Sequence, residues 1–329
     1  MMLFEQTLVI VKPDGIAKGL VGEILLNLSL NGLRVTDSVR MQLPQHLVEK
    51  LYGEEREEIY FTEVVNWVSS GTVLLLRVEG IGAVSKVKWD IIGRYPNGMR
   101  GKYSENWIKN VAHVPDSLRS AERELCLMDD LFREERMKNQ KNFQGKMVFA
   151  LTGMSECGKS TVGKYLDSRG VRRLKIVRLF GKVKERLAPD SNEDLRGWVN
   201  KGEASDPYAL WDVFLDELLQ EMETLETSMA SIESLYGGGL GLYLRQRLAD
   251  HFCIVYVEIP LEIRLQRQMI REGLSDFGQA KLILLPRDEI KAKSGIPALK
   301  EIAGEVIDNS GTLEDLYAAV DAMIARYRC

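Results

Sequence analysis

The N-terminal part of the chain alternates short apolar runs with apolar residues at helical spacing. A continuous apolar run of strand length predicts a buried strand, and apolar residues three and four apart predict one face of a helix. The predicted strands are residues 7–13, 33–42 and 72–80, and the predicted helices are 20–32 (closed by Gly32), 44–54, 60–71, 81–93 and 118–132. This order is a split βαβ pattern of the ferredoxin-like type with extra helices.

The pattern changes at residues 133–146, REERMKNQKNFQGK, which are polar and lose the apolar period. They predict a linker with a helical start. From the apolar run MVFALTG onward, strands and helices alternate to the end, which is typical of an α/β domain with a parallel sheet covered on both faces. We therefore predict a two-domain α/β protein with domains over 1–134 and 146–329 and a linker over 135–145.

Composition limits the classes of function. A chain of 329 residues with 45% hydrophobic and 28% charged residues fits a globular protein of two domains. The net charge of −4 argues against nucleic acid or a membrane surface as partner. The N-terminus shows no secretory signal, and four cysteines have neither CxxC nor metal spacing. We expect a cytoplasmic protein with reduced thiols.

A phosphate-binding motif opens the second domain. Residues 153–160, GMSECGKS, fit G-x-x-x-x-G-K-[ST] between a predicted strand (147–152) and a predicted helix (160–168). In such a loop the backbone N–H groups hold phosphate, Lys159 neutralises its charge and Ser160 holds Mg²⁺. The predicted nucleotide ligands are Gly153, Met154, Ser155, Glu156, Cys157, Gly158, Lys159, Ser160 and Thr161.

Three arginines follow at helical spacing. Arg264, Arg267 and Arg271 lie at i, i+3 and i+7, on one face of a predicted helix. Taken alone, this stripe is more typical of a solvated basic face. A phosphate loop in the same domain favours lid groups that bind the phosphates being transferred. Arg287 is a further candidate.

Residues 147–325 resemble P-loop kinases of small metabolites, namely dephospho-CoA kinase and the nucleoside monophosphate kinases. The resemblance is carried by TGMSECGKST, RLQRQMIREG, PRDEIKAKSGI and VIDNSGTLEDL. It implies ATP-dependent phosphorylation of a phosphate-bearing acceptor and places the segment of Asn309 near the adenine. Such kinases often have an acidic residue after a middle strand. Here the candidate is Glu233, either a ligand of Mg²⁺ or acceptor, or an ordinary surface glutamate.

His113, in KNVAHVPDS, is one of three histidines in the chain. Alone on an apolar strand it is more typical of a packed core residue. However, residues 5–132 resemble nucleoside diphosphate kinase, through Lys12-Pro13-Asp14-Gly15, Gly19–Glu23 and the long motif at 99–127. The resemblance implies a ping-pong reaction with His113 as nucleophile. It further implies that Glu124 orients the imidazole, that Phe61 stacks on the base, and that phosphates and ribose are held by Lys12, Tyr52, Arg100 and Asn110.

The chain departs from this family around residues 93–99, where its loop is several residues shorter. Tyr95 replaces the family threonine, Lys88 or Arg94 substitutes for an arginine, and Pro115 replaces a serine. Loss of that hydroxyl and of an N–H near the histidine predicts slow turnover or an unusual acceptor. The shorter loop favours a homodimer over a hexamer.

Three hypotheses of function follow. The first is a bifunctional nucleotide phosphotransferase, in which the second domain phosphorylates a nucleoside monophosphate or similar acceptor and the first converts diphosphate to triphosphate. The second is an active P-loop kinase fused to a catalytically weakened nucleotide-binding and oligomerisation module. The third is a switch-type NTPase without a small acceptor, which the arginine stripe disfavours.

Overall fold

The computed structural model describes residues 3–94, 97–235 and 237–328. Its strands are β1 (Phe4–Val11), β2 (Arg34–Gln42), β3 (Thr72–Ile81), β4 (Ala112–His113), β5 (Met147–Thr152), β6 (Arg172–Lys175), β7 (Met229–Glu233), β8 (Phe252–Glu258) and β9 (Glu305–Asp308). Within these ranges no helix is both long and apolar enough to cross a lipid bilayer. The predicted Tyr95 position lies outside the described residues.

The helices are α1 (Pro13–Ala17), α2 (Val21–Leu30), α3 (Gln45–Leu51), α4 (Phe61–Ser69), α5 (Ala83–Ser85, continuing as a π-helix over Lys86–Ile91), α6 (Met99–Tyr103), α7 (Leu118–Asn142), α8 (Lys159–Ser168), α9 (Ile176–Leu187), α10 (Leu195–Ser205), α11 (Pro207–Thr224), α12 (Gly238–Leu248), α13 (Leu261–Glu272), α14 (Phe277–Lys293) and α15 (Leu313–Tyr327). Helix α7 continues to Asn142, so most of the segment predicted as a linker is helical.

The chain forms two compact units. Unit 1 comprises Met1–Met137 and Asn192–Asp212, and unit 2 comprises Lys138–Ser191 and Val213–Cys329. Unit 1 contains an antiparallel sheet in the order β2-β3-β1-β4, which confirms the split βαβ arrangement. Residues 7–11 of β1 are buried and pair with β3, and Ile10 faces His113 of β4 across the ladder. The central strand thus fixes the backbone on which His113 lies.

Unit 2 contains a parallel sheet in the order β6-β7-β5-β8-β9, as the alternating pattern predicts. Strand β5 is buried along its whole length and lies between β7 and β8. The next strands of the chain, β6 and β7, lie on one side of β5, and the last two, β8 and β9, lie on the other side. At such a switch point a crevice forms beyond the carboxyl end of the strand, and open α/β sheets bind their ligands there. The segment predicted as a phosphate loop, residues 153–160, begins at that end.

The observed grouping differs from the predicted domain boundaries in residues 192–212, which join unit 1. Helix α10 packs against α2, and Arg40 pairs with Asp206 at 3.0 Å. The backbones approach closely because Gly22 has no side chain: a Cβ there would lie 1.9 Å from the carbonyl oxygen of Ala204. No local pattern in the sequence of α10 indicates this packing.

Replacing Gly22 by alanine tests this packing. The added Cβ overlaps backbone that cannot rotate away, and overpacking of this kind costs about 1–3 kcal/mol. We expect Gly22→Ala to lower the free energy of unfolding in urea and to increase proteolytic cleavage within residues 192–206. Gly53→Ala is the control, since a Cβ at Gly53 meets nothing within 4 Å. Equal stability of the two variants would contradict the contact.

Candidate functional sites

A cavity of about 500 Å³ opens in unit 1 beside β4 and the start of α7. Six of the predicted site residues line it: Lys12, Tyr52, Arg100, Asn110, His113 and Glu124. They come from segments up to about a hundred residues apart in the sequence, and the antiparallel sheet brings them together. The cavity wall therefore combines cationic groups, a phenol and an imidazole.

His113 is held by a buried carboxylate. Its Nε2 lies 2.7 Å from Oε2 of Glu124, whose side chain is almost fully buried. The ring of Tyr52 packs edge-on against the imidazole, with centroids 4.9 Å apart. Because an ionised carboxylate only accepts hydrogen bonds, Nε2 carries the imidazole proton and Nδ1 keeps its lone pair. This arrangement suits a nucleophile.

Lys12 is a buried cation beside the histidine. Its Nζ donates to Oδ1 of Asn110 at 2.8 Å and to the carbonyl oxygen of Ile108 at 3.2 Å. Burial, and then the charge of nearby Arg100, lower the pKa of Lys12 to about 7, and Asp14 opposes the shift. A phosphate beside the ammonium would favour its charged form.

Nucleotide binding should therefore take up a proton at Lys12. Below pH 7 the lysine is already charged, and above pH 7 the free protein must acquire the proton on binding, so affinity should fall as pH rises through 7. Titration calorimetry at pH 8 in two buffers of different ionisation enthalpy measures the uptake. In the Lys12→Arg variant the side chain at position 12 is charged at every pH used, so it takes up no proton on binding. Any proton uptake that remains in this variant comes from other groups. Identical uptake in wild type and variant would contradict the assignment.

Arg100 and Tyr52 complete the polar wall. Nη2 of Arg100 donates to the carbonyl oxygen of Ala112 at 2.8 Å, and burial lowers its pKa. The hydroxyl of Tyr52 is buried without a hydrogen-bond partner among the described residues, and burial raises its pKa. A buried donor that faces a cavity unpaired is suited to a polar ligand.

Phe61 lies elsewhere than predicted. It packs against the hydrophobic core of unit 1, and its neighbour Tyr60 lines the cavity, 39% exposed. Helix α4 begins at Phe61 and turns Phe61, Val64 and Val68 to the same inner face.

The shortened loop still leaves basic residues at the cavity. Both Lys88 and Arg94 line it, as the substitution hypothesis requires. Lys88 pairs with Asp116, and the guanidinium of Arg94 lies 3.5 Å from the ring centroid of Trp107. Trp107 and Arg123, which the sequence interpretation missed, also line the cavity.

A second cavity, of about 550 Å³, lies in unit 2 at the carboxyl end of β5. Ten of the predicted nucleotide ligands line it: Ser155, Glu156, Cys157, Gly158, Lys159, Ser160, Thr161, Arg267, Arg271 and Asn309. Gly153 and Met154 do not line the cavity, and their carbonyl oxygens accept from Nζ of Lys159 at 3.0 and 2.8 Å. Gly153 and Gly158 have φ values of 134° and 95°, which favour glycine.

Helices α13 and α14 cover this loop. Arg267 donates to the carbonyl oxygen of Asn309 at 2.9 Å, and Arg271 pairs with Glu156. Arg264 does not line the cavity: it is buried, pairs with Asp288 and donates to the carbonyl oxygen of Ser155. Of the three arginines, Arg264 thus connects α13 and α14 to the loop, and Arg267 and Arg271 line the cavity.

Helix α14 adds two cations to this cavity, Arg287 and Lys291. Nζ of Lys291 donates to the carbonyl oxygen of Gly153 at 3.2 Å. Burial, and then Lys159, lower the pKa of Lys291 to about 8. Lys291 follows Arg287 by four residues, about one helical turn, so the two side chains lie on the same helix face. This spacing is the one feature of the sequence that indicates Lys291 as a cavity residue.

Glu233 ends β7 next to the loop. Its carboxylate accepts from the hydroxyl of Ser160 and from Nε of Arg173, the latter at 2.5 Å. Among the described residues no group of three or more histidine, cysteine or acidic side chains forms a metal site. One hydroxyl and one carboxylate nevertheless fit Mg²⁺, which takes few protein ligands when phosphates supply the others.

Comparison with known proteins identifies the family of unit 1. The sequence profile of the nucleoside diphosphate kinase family matches residues 5–136. The nucleoside diphosphate kinase of Saccharolobus islandicus is 34% identical over 135 residues, which cover 39% of this chain and 97% of that protein. The enzyme of Exiguobacterium sibiricum is 39% identical over 129 residues, which cover 37% and 93%.

A solved structure also matches, that of the Aquifex aeolicus nucleoside diphosphate kinase. It has 32% sequence identity and a TM-score of 0.37, and the match covers 38% of this chain and 95% of that one. Through these residues, the chain belongs to the nucleoside diphosphate kinase family.

Proposed function

We propose that unit 1 transfers the terminal phosphoryl group of a nucleoside triphosphate to a nucleoside diphosphate through His113. The observation that carries the proposal is the 2.7 Å contact of Nε2 with the buried Glu124, inside a cavity lined by Lys12 and Arg100. This contact leaves Nδ1 with a free lone pair. The family to which these residues belong supports phosphotransferase activity.

The reaction needs two displacements at phosphorus. Nδ1 attacks the γ-phosphorus, the bond from that phosphorus to the bridging oxygen breaks, and the nucleoside diphosphate leaves with the electron pair of the broken bond. The proton on Nε2 stays with the His113–Glu124 pair. An acceptor diphosphate then attacks the phosphohistidine and regenerates the neutral imidazole. Throughout, Lys12 and Arg100 offset the negative charge of the phosphates.

A chase experiment tests this proposal against the alternative of a weakened module. The full chain is incubated with γ-labelled ATP, freed of nucleotide and then given unlabelled GDP. We expect acid-labile, base-stable protein label that moves to GTP. Buried Pro115, beside the histidine, motivates the alternative. Nucleotide binding without label would favour that alternative.

For unit 2 we propose direct phosphoryl transfer from ATP to a phosphate-bearing acceptor, a nucleoside monophosphate or dephospho-CoA. The support is the cavity in which the phosphate loop meets Arg267, Arg271 and Lys291. Ser160 and Glu233 would hold Mg²⁺, which when bound neutralises phosphate charge. Lys159 and the two arginines would bind the phosphates and stabilise the charge of the transition state.

An acceptor screen distinguishes this proposal from a switch-type NTPase. The His113→Ala chain receives ATP with each nucleoside monophosphate or with dephospho-CoA, and ADP release is measured. We expect release that depends on one class of acceptor. Release at the same rate without any acceptor would favour the switch. Nucleotides are thus the proposed ligands of both units.

A homodimer stays a prediction, which scattering measurements of the mass of the protein in solution would test.

A further inference from the structure

A buried carboxylate outside the proposed catalytic set joins three segments of unit 1. Asp14 is 5% exposed and lies at the start of α1, two residues after Lys12. Its Oδ2 accepts from the backbone N–H of Val111 at 2.7 Å, and its Oδ1 accepts from Nε1 of Trp67 at 3.0 Å. Each carboxylate oxygen therefore has its own donor, one from the segment before His113 and one from α4.

The backbone at Val111 requires such support. Val111 is fully buried and has a φ of 76°, which a β-branched residue rarely adopts. A strained conformation persists only where its surroundings hold it. Here Asp14 accepts from the N–H of Val111, and the N–H of Lys12 donates to its carbonyl oxygen at 2.8 Å.

The residues on both sides of this turn carry the site. Asn110 accepts from Nζ of Lys12, Ala112 accepts from Arg100, and His113 follows two residues after Val111. A change of backbone at Val111 would displace all three groups. Misplacement of a reacting group by about 1 Å costs roughly a hundredfold in rate.

We propose that Trp67 and Asp14 are positioning residues for phosphoryl transfer, and that the indole N–H fixes the carboxylate that holds the Val111 turn. This inference rests on the proposed function of unit 1. Replacing Trp67 by phenylalanine keeps an aromatic ring and removes the donor to Oδ1. The carboxylate can then rotate, and the turn loses its fixed acceptor.

The test compares Trp67→Phe with Trp211→Phe in the full chain. Trp211 makes the same kind of bond in the same unit, Nε1 to Oε1 of Glu203 at 3.0 Å, and does not line the cavity. We measure single-turnover phosphorylation by ATP, nucleotide Kd, thermal unfolding and the ¹⁵N shifts of the His113 ring. For Trp67→Phe we expect phosphorylation roughly 10- to 100-fold slower, Kd within about twofold of wild type and changed ring shifts. Trp211→Phe should keep the wild-type rate and ring shifts.

Each outcome decides the inference. A wild-type rate and unchanged ring shifts in Trp67→Phe would overturn it, as would equal loss in both variants, which indicates general destabilisation. If the wild type itself takes no phosphoryl group, the proposed function fails. The ring shifts then still decide whether Trp67 positions His113.

Discussion

Replacing His113 by alanine should abolish phosphoryl transfer to nucleoside diphosphates. The imidazole is the only group in the proposed path that bonds to phosphorus, and removing a nucleophile costs about 10⁴-fold or more in rate. We expect no acid-labile label and no triphosphate above background. The side chain is mostly buried, so thermal unfolding must show that the variant is folded.

His46→Ala is the matched control, since His46 is exposed and does not line the cavity of unit 1. It should label and turn over like wild type. Label that survives in His113→Ala and disappears in His46→Ala or His251→Ala would place the nucleophile on another histidine. Loss of transfer in all three variants would point to a general effect on folding.

Replacing Lys159 by alanine should strongly slow the proposed reaction of unit 2 and spare that of unit 1. Loss of one preorganised cation at a transferring phosphoryl group costs about 10²- to 10³-fold in rate. The acceptor-dependent release of ADP should fall by this factor, and labelling of His113 should continue. In the reciprocal variant, His113→Ala, diphosphate should accumulate from the monophosphate acceptor.

Lys164→Ala is the control for this variant, because Lys164 is exposed on the same helix, α8, and does not line the cavity. It should keep the acceptor-dependent activity. If Lys159→Ala behaves like wild type, the loop does not bind the donor. If it also abolishes labelling of His113, the two activities are not separate.

Contiguous motifs could be predicted from the sequence because their chemistry is local. The loop over residues 153–158 lies between the buried β5 and α8, and Lys159 to Thr161 form the start of that helix, as the spacing requires. The residues around His113 converge because the split βαβ order determines which strands are neighbours. Pattern therefore predicted both sheets and most of the residues that line the cavity of unit 2. The residues around His113 were predicted through the family resemblance, because no single local pattern links them.

Other features depend on contacts that no local pattern contains. Arg264 lies on the predicted face, yet Asp288, 24 residues later, pairs with it and removes it from the cavity. Helix α10 joins unit 1 because Gly22 admits its backbone.

The stereochemical course at phosphorus tests the central claim most directly. The Lys159→Ala chain receives ATP whose γ-phosphorus is chiral through oxygen isotopes, with a nucleoside diphosphate as acceptor. Each in-line displacement inverts the phosphorus, so transfer through His113 predicts net retention of configuration in the product triphosphate. Net inversion would show a single direct displacement and would contradict a phosphohistidine.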